Sequence, residues 1–97
     1  MNRNQKLTHV VGGRTIESSN IAASSLTITF ADKSTMRATL ALGTPVDVPT
    51  KTIAVVHQNG PNLQISFDDQ TTTDIALDPE SSSVLVRSAS GTLEYVG

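Results

Sequence analysis

The chain has 97 residues, no cysteine, a formal net charge of −2 and three aromatic residues, which are Phe30, Phe67 and Tyr95. This length suits one domain with a modest core, and the lack of cysteine excludes a disulfide framework and a thiolate site. No apolar run is long enough to span a bilayer, and the polar start lacks the apolar stretch of a signal peptide. We therefore expect a protein kept in the cytoplasm of the cell that makes it, with no membrane partner.

Residues 1–13 are polar and basic and end in Gly12 and Gly13. Leu7 and Val11 fall on one side of a period-two pattern, so the segment can pair as an edge strand if a neighbour orders it. A terminus of this kind is otherwise poorly ordered. We predict a basic, flexible N-terminal arm over residues 1–13, a single all-β domain over residues 14–97, and no helix.

An internal repeat organises the domain. The stretch LTITFADKSTMRATL at residues 26–40 returns as LQISFDDQTTTDIAL at residues 63–77, an offset of 37 residues (63 minus 26). Leu, Ile and Phe alternate with polar residues in each copy, which places them on one face of a half-buried strand. A second alternating run follows an Asp-x-Ser/Thr turn, so each copy predicts a hairpin.

The register of the first hairpin follows from which side chains must be buried. Opposed residues of an antiparallel pair point to the same face, so a slip of one residue moves the apolar groups into water. A two-residue turn would oppose Ile28 to Arg37 and fails this test. A three-residue loop over residues 32–34 opposes Ile28 to Ala38, and a five-residue loop with the same parity stays open.

The second copy gives the same register. A three-residue loop over residues 69–71 opposes Ile65 to Ile75. Asp32 and Asp69 are then predicted to be turn residues, whose carboxylates accept a hydrogen bond from the backbone two residues on.

A third strand is predicted before each hairpin. The repeat offset makes residues 15–25 correspond to residues 52–62, where Ile53 and Val55 alternate before the turn signal Asn59-Gly60-Pro61. Each repeat then forms a three-stranded meander.

The C-terminal part predicts one more hairpin. The glycine and prolines of residues 42–50 indicate a connection between the repeats, and Ser90-Gly91 is typical of a two-residue hairpin turn. The following residues should share a core-facing side: Val84, Val86, Leu93 and Tyr95. About eight strands result, enough for a small sandwich or a partly open, SH3-like barrel.

The motif search predicts a protein that is not an enzyme and holds no metal or cofactor. The sequence has no phosphate-binding glycine loop, no HExxH and no GxSxG. His9 and His57 are far apart in the sequence, and neither has another histidine or a cysteine at the spacing of metal ligands. We expect His57 on the face of Ile53 and Val55, at the margin of the core. The second repeat ends in an acidic segment, residues 68–80, which lacks the spacing of a calcium loop. A solvated acidic face is therefore the interpretation.

Charge is distributed unevenly along the chain. Cations occupy the first fourteen residues and carboxylates dominate the second repeat, so the candidate partner-binding residues carry opposite charges at two ends: Arg3, Lys6, Arg14, Asp68, Asp69 and Asp74. The expected partner is a protein, either another copy or a larger assembly such as capsid or tail proteins. Nucleic acid is not expected, because a β platform for it needs a basic groove with exposed aromatic residues.

The run Ser18-Ser19-Asn20-Ile21-Ala22-Ala23, followed by the alternating strand and its Asp32-x-Ser34 turn, resembles the opening of the small bacterial KTSC domain. Lys33 stands where that family has glycine, and the second meander replaces its C-terminal part. The whole chain is also similar in style to short proteins of phage and prophage gene clusters. The first likeness covers about a third of the chain, and neither likeness assigns functional residues.

Three functional hypotheses follow. The first is a non-enzymatic structural or assembly protein, such as a phage capsid decoration or tail component incorporated into the virion, which docks on its neighbours through the β body while the N-terminal arm reaches across. The second is a small regulatory or inhibitory protein that binds its target through the acidic second repeat. The third is an enzyme subunit whose site is completed by another chain.

Overall fold

The computed structural model describes residues 4–41, 47–80 and 83–97, and the all-β prediction is confirmed. One short helix, α1 (Gln5–Val11), precedes eight strands in these residues. The strands are β1 (Ile16–Ala22), β2 (Ser25–Phe30), β3 (Thr35–Thr39), β4 (Ile53–Asn59), β5 (Asn62–Phe67), β6 (Thr72–Ala76), β7 (Val84–Arg87) and β8 (Leu93–Val96). They form a five-stranded antiparallel sheet, β1-β2-β3-β7-β8, and a three-stranded antiparallel sheet, β4-β5-β6. Most of the predicted connection over residues 42–50 lies outside the described residues, and the SH3-like scale stays a prediction.

Each repeat forms the predicted three-stranded meander. The alternating apolar residues of the central strands are buried, with Ile28 and Ile65 fully enclosed, while Thr27 and Gln64 are half-buried on the other face. Apolar side chains from both sheets meet in one core. The period-two pattern therefore placed the buried faces of β2 and β5 correctly.

The predicted hairpin registers are wrong by two residues, although their parity is right. The loops span residues 31–33 and 68–70, so Ile28 lies opposite Met36 instead of Ala38. In these loops Lys33 and Gln70, rather than the residues after them, adopt the positive φ angles of 73° and 72°. A three-residue hairpin loop needs that conformation at its last position, and the chain supplies it without glycine.

The second hairpin shows the same shift. Leu63 lies opposite Ile75, so the predicted pair of Ile65 with Ile75 is wrong. The predicted turns themselves are confirmed, because the carboxylates of Asp32 and Asp69 accept hydrogen bonds from backbone N–H groups two residues on, at 2.9 and 3.0 Å.

The strands before the hairpins carry a bulge that the sequence did not reveal. β1 and β4 lie where they were predicted, and the predicted turn after β4 is confirmed, with Gly60 and Pro61 as its two loop residues. An extra residue, Glu17 in β1 and Ala54 in β4, shifts the register of each strand. Val56 instead of Val55 therefore enters the core in β4, and the predicted face of Val55 and His57 is wrong.

The two repeats meet at equivalent positions. Thr15 pairs with Thr52 and Leu40 pairs with Leu77 through antiparallel bridges, and in each pair the two residues are separated by the repeat offset of 37. Antiparallel contact between equivalent positions means that an approximate two-fold axis relates the meanders, as in a symmetric dimer.

The expectation of an arm without a helix is wrong for residues 4–13. Asn4 caps α1, since its Oδ1 accepts from the N–H of Leu7 at 3.0 Å, and Leu7 and Val11 are fully buried in the core. The edge of β4 is covered, because the Thr8 hydroxyl bonds to both the N–H and the C=O of Val56. No helix among the described residues is long and apolar enough to cross a membrane.

The C-terminal hairpin completes the core. β7 pairs with β3 and buries Val84 and Val86 completely. The predicted two-residue turn is wrong, because the loop has three residues, 89–91, with Gly91 at a φ of 88°. Glu94 is an extra residue in β8. Because of this bulge Leu93 faces outward, so its predicted position on the core side is wrong.

Candidate interaction surface

Arg14 is held in a network formed by the first hairpin loop and β8. Its guanidinium donates to both carboxylate oxygens of Glu94 at 3.1 and 3.0 Å and to the Ser34 hydroxyl at 2.8 Å. It also lies 3.9 Å from a carboxylate oxygen of Asp32 and 5.9 Å from the ring centroid of Phe30. Only 18% of the Arg14 side chain is exposed, so this predicted partner-binding cation is engaged within its own chain.

Lys51 occupies the equivalent position in the second repeat. Its Nζ lies 2.9 Å from an Asp69 carboxylate oxygen, 2.8 Å from the Thr71 hydroxyl and 5.9 Å from the ring centroid of Phe67. Hydrogen bonds from Thr71 and Lys51 lower the pKa of Asp69 to about 2. Asp69 is therefore another predicted partner-binding residue that already has an internal partner.

Asp32 is the counterpart of Asp69. Hydrogen bonds from the hydroxyl and the backbone N–H of Ser34 lower the pKa of Asp32, and Arg14 adds to this effect. The two sets of carboxylate, hydroxyl and cation are thus the same device used twice, one at each hairpin loop.

The remaining predicted residues are spread over the surface. Lys6 is exposed on α1, beside a groove of about 520 Å³ between α1 and β8. Asp68 is exposed, and the carboxylate of Asp74 accepts from the Gln64 amide at 2.9 Å. Arg3 lies outside the described residues. The structure therefore does not gather the predicted residues into one site, and their role with a partner stays a prediction.

The histidines and acids form no recognisable centre in the described ranges. No three or more His, Asp or Glu side chains there are grouped to hold a metal ion. His57 is half-buried opposite Gln64 on the outer face of β4, and its Nδ1 is buried without a hydrogen-bond partner among these residues.

An apolar surface that was not predicted from the sequence covers the outer face of the β7–β8 hairpin. Leu93 and Val96 are 47% and 57% exposed, and Leu85 lies opposite Val96 on the same face. Arg87 lies opposite Leu93, and Arg37 of β3 lies opposite Leu85. We call these residues the hairpin patch: Leu85, Leu93, Val96, Arg37 and Arg87.

The charges of the hairpin patch are available to a partner. Arg37 and Arg87 are exposed and form no ion pair with any carboxylate that the structure describes. A hollow of about 290 Å³ lies beside the patch between β3 and β7, lined in part by Arg37, Ser83 and Leu85. An exposed apolar group with a polar rim is the usual appearance of a protein-binding surface.

Searches of protein-family models, of curated proteins and of solved structures found no match to this chain. The resemblance to the KTSC domain and to phage proteins therefore stays a prediction.

One signal in the sequence points to the hairpin patch. Leu85 and Val96 are apolar residues at outward positions of the predicted C-terminal hairpin, whereas the central strands of the repeats carry Thr27, Thr29, Gln64 and Ser66 at such positions. Leu93 could not be assigned to the patch, because nothing in the sequence marks the bulge at Glu94 that turns it outward.

Proposed function

We propose that the protein is a non-enzymatic assembly protein that docks on other proteins through the hairpin patch. The supporting observation is the exposure of Leu93 and Val96 next to Leu85 and beside two arginines without an ion pair among the described residues. Apolar residues and arginine are enriched in the centres of protein interfaces, and neither Leu93 nor Val96 contributes to the buried core.

Within this class, the specific form that we propose is a phage virion accessory, such as a capsid decoration or tail component. The likeness in style to phage proteins supports it. Residues 4–13 pack against the β body, so docking through that body replaces the predicted reach of an arm.

The second repeat supports one alternative, a small regulatory or inhibitory protein that binds a basic target. Asp68, Asp74 and Asp78 have no Lys or Arg within ion-pair distance among the described residues. An acidic face of this kind favours encounter with a basic surface.

Sedimentation velocity of the protein, alone and mixed with phage particles or their capsid and tail proteins, tests the proposal. We expect association by the wild type and its loss in Leu93→Ser together with Val96→Ser. Ile21→Ser is the matched control, since Ile21 is 45% exposed on β1, away from the hairpin patch.

A monomer that binds no particle and no virion protein would contradict the virion proposal. Association that survives the double substitution but is lost in Asp68→Lys with Asp74→Lys would favour the regulatory alternative.

A further inference from the structure

The outer edge of β6 has backbone groups that can accept another strand. The N–H of Phe67 donates to the C=O of Thr71 at 2.9 Å. The backbone N–H and C=O groups of the odd-numbered residues of β6 therefore point towards β5. Backbone groups alternate in direction along an antiparallel strand, so the N–H and C=O of Thr72 and Asp74 point away from β5. At the end of this side the C=O of Ala76 accepts from the N–H of Ala41 at 2.9 Å, but no strand among the described residues pairs with Thr72 and Asp74 there.

The internal two-fold relation shows what the equivalent edge binds. In the first repeat the counterpart of β6 is β3, at the offset of 37 residues. Its Thr35 and Arg37 lie opposite Arg87 and Leu85 of β7, which is antiparallel to β3. The molecule therefore has two equivalent strand edges, on β3 and on β6, and its own strand β7 pairs only with the edge of β3 among the described residues.

Burial differs between the two edges as this difference in pairing requires. Met36 is 1% exposed under β7, whereas its counterpart Thr73 is only half-buried. Thr35 is half-buried and its counterpart Thr72 is exposed. The β6 edge thus lacks the cover that β7 gives to β3.

We propose that the edge of β6 over residues 72–75 binds an extended segment of a partner protein as an added antiparallel strand. Main-chain hydrogen bonds give such an interaction its affinity, and side chains at alternate positions give its specificity. On β3 the inward positions of the added strand are Val84 and Val86. The partner segment should therefore alternate β-branched apolar residues with polar ones.

Charge identifies the polar residue of that segment. Asp74 is the counterpart of Arg37 in β3, which lies directly opposite Leu85 of β7. On an added strand, one residue of the outer face would likewise lie directly opposite Asp74. An opposite charge there is favourable and a like charge is unfavourable. A lysine or arginine of the partner is thus expected opposite Asp74.

The same charges disfavour a second copy of this chain as the occupant. Two β6 edges in contact would bring the Asp74 side chains and the nearby Asp68 and Asp78 side chains of both copies together. None of these carboxylates is neutralised by a Lys or Arg among the described residues. A basic partner segment relieves this repulsion, whereas a second acidic edge increases it.

A peptide derived from β7 provides the probe. The blocked peptide Ser-Val-Lys-Val-Arg-Ser copies residues 83–88 with Leu85→Lys, and a second peptide carries glutamate at that position. We expect the lysine peptide, at millimolar concentration, to shift the ¹⁵N–¹H resonances of Thr72 and Asp74 and to slow their hydrogen exchange. Asp74→Lys should weaken binding of the lysine peptide by about fivefold and reverse the preference between the two peptides.

A proline variant tests the strand pairing itself. Thr72→Pro removes an N–H that points away from β5, and proline is tolerated at the first residue of an edge strand, so the fold should persist. It should weaken peptide binding, while Thr72→Val, which keeps the N–H, should not.

Three results would overturn the inference: no shift in β6 at millimolar peptide, equal binding by the proline and valine variants, or shifts confined to the hairpin patch. Unfolding of the proline variant would leave the decision to Asp74→Lys. The inference concerns a different surface from the hairpin patch, so Leu93→Ser with Val96→Ser should bind the peptide like the wild type whether or not the assembly proposal holds.

Discussion

Thr15 and Thr52 hold the same position in the two repeats, and their hydroxyl oxygens lie 2.7 Å apart where the meanders meet. Around them the backbone contacts are reciprocal: the N–H of Ile16 donates to the C=O of Lys51 at 2.9 Å, and the N–H of Ile53 donates to the C=O of Arg14 at 3.0 Å. The chain is therefore built as an internal symmetric dimer, in which the same surface of each repeat contacts the other.

The second meeting point gives a prediction about coupling. Leu40 and Leu77 are buried partners in an antiparallel bridge, so Leu40→Ala and Leu77→Ala should each cost about 2 to 5 kcal/mol of unfolding free energy. Because the two side chains belong to neighbouring backbones, their effects should be non-additive by at least about 0.5 kcal/mol. Urea unfolding of the single and double variants measures this, and strictly additive values would show that the repeats do not meet there.

The sequence could predict the buried faces of the two repeats but not the positions of their hairpin loops. The repeat and its period-two pattern fix which side chains of β2 and β5 face the core, and that prediction is confirmed at Ile28 and Ile65. The pattern could not fix the loop position, because parity is unchanged by a shift of two residues. Only the positive φ of Lys33 and Gln70 distinguishes the registers, and neither residue type marks that conformation.

The helix was missed because two patterns fit the same residues. Leu7 and Val11 are spaced four apart, which suits a helix face, but with His9 between them they also suit a strand. Asn4 as N-cap was the signal that favours the helix. The contact between repeats and the hairpin patch depend on tertiary packing and on bulges, which local sequence patterns do not encode.

The role of α1 gives a second prediction. Leu7→Ala removes a fully buried side chain and should cost about 2 to 5 kcal/mol, and deletion of residues 1–12 should unfold the domain. Lys6→Ala is the control, since Lys6 is exposed and its loss should change stability by less than about 0.5 kcal/mol. Circular dichroism during urea unfolding measures both. A truncated chain as stable as the intact one would restore the interpretation of these residues as an arm.

The hairpin register can be tested by disulfide formation, because the chain has no cysteine of its own. Thr27 and Arg37 are directly opposite without mutual backbone hydrogen bonds, a position where Cα atoms lie about 4.5 Å apart. Thr27→Cys with Arg37→Cys should therefore oxidise readily. Thr27→Cys with Thr39→Cys, the pair that would be opposed in the register predicted from the sequence, should stay reduced. Mass spectrometry of the two variants under mild oxidant decides, and the opposite outcome would contradict the observed register.

The loop carboxylates predict how stability depends on pH. The pKa of Asp69 is lowered from 3.8 to about 2 and that of Asp32 is lowered as well, so folding is favoured by their ionised forms. Their stabilising effect should be complete above about pH 4 and be lost as the pH falls towards 2. Asp69→Asn should flatten this part of the curve of unfolding free energy against pH. Asp68→Asn is the matched control, since the Asp68 carboxylate accepts no hydrogen bond from the described residues, and an equal effect of both would contradict the role of the Thr71 and Lys51 contacts.

The arginines of the hairpin patch give the last prediction, which concerns how a partner is reached. Arg37 and Arg87 are exposed and have no carboxylate partner among the described residues, so they can attract an acidic rim on the partner. Rim charges act mainly on the association rate and its salt dependence. Arg37→Glu with Arg87→Glu should slow association most at low salt, because the screening length falls from about 30 Å at 0.01 M to about 10 Å at 0.1 M.

Lys6→Glu provides the comparison, since it reverses an exposed cation on α1 instead of the hairpin patch. Stopped-flow or surface-binding measurements across this range of salt should show a strong effect for the arginine pair and a weak one for Lys6→Glu. If Lys6→Glu slows association as much as the arginine pair does, the effect on the association rate is not confined to the hairpin patch, and α1 also belongs to the interface. If neither changes the rate while Leu93→Ser with Val96→Ser still abolishes binding, the partner contacts the apolar centre of the patch alone.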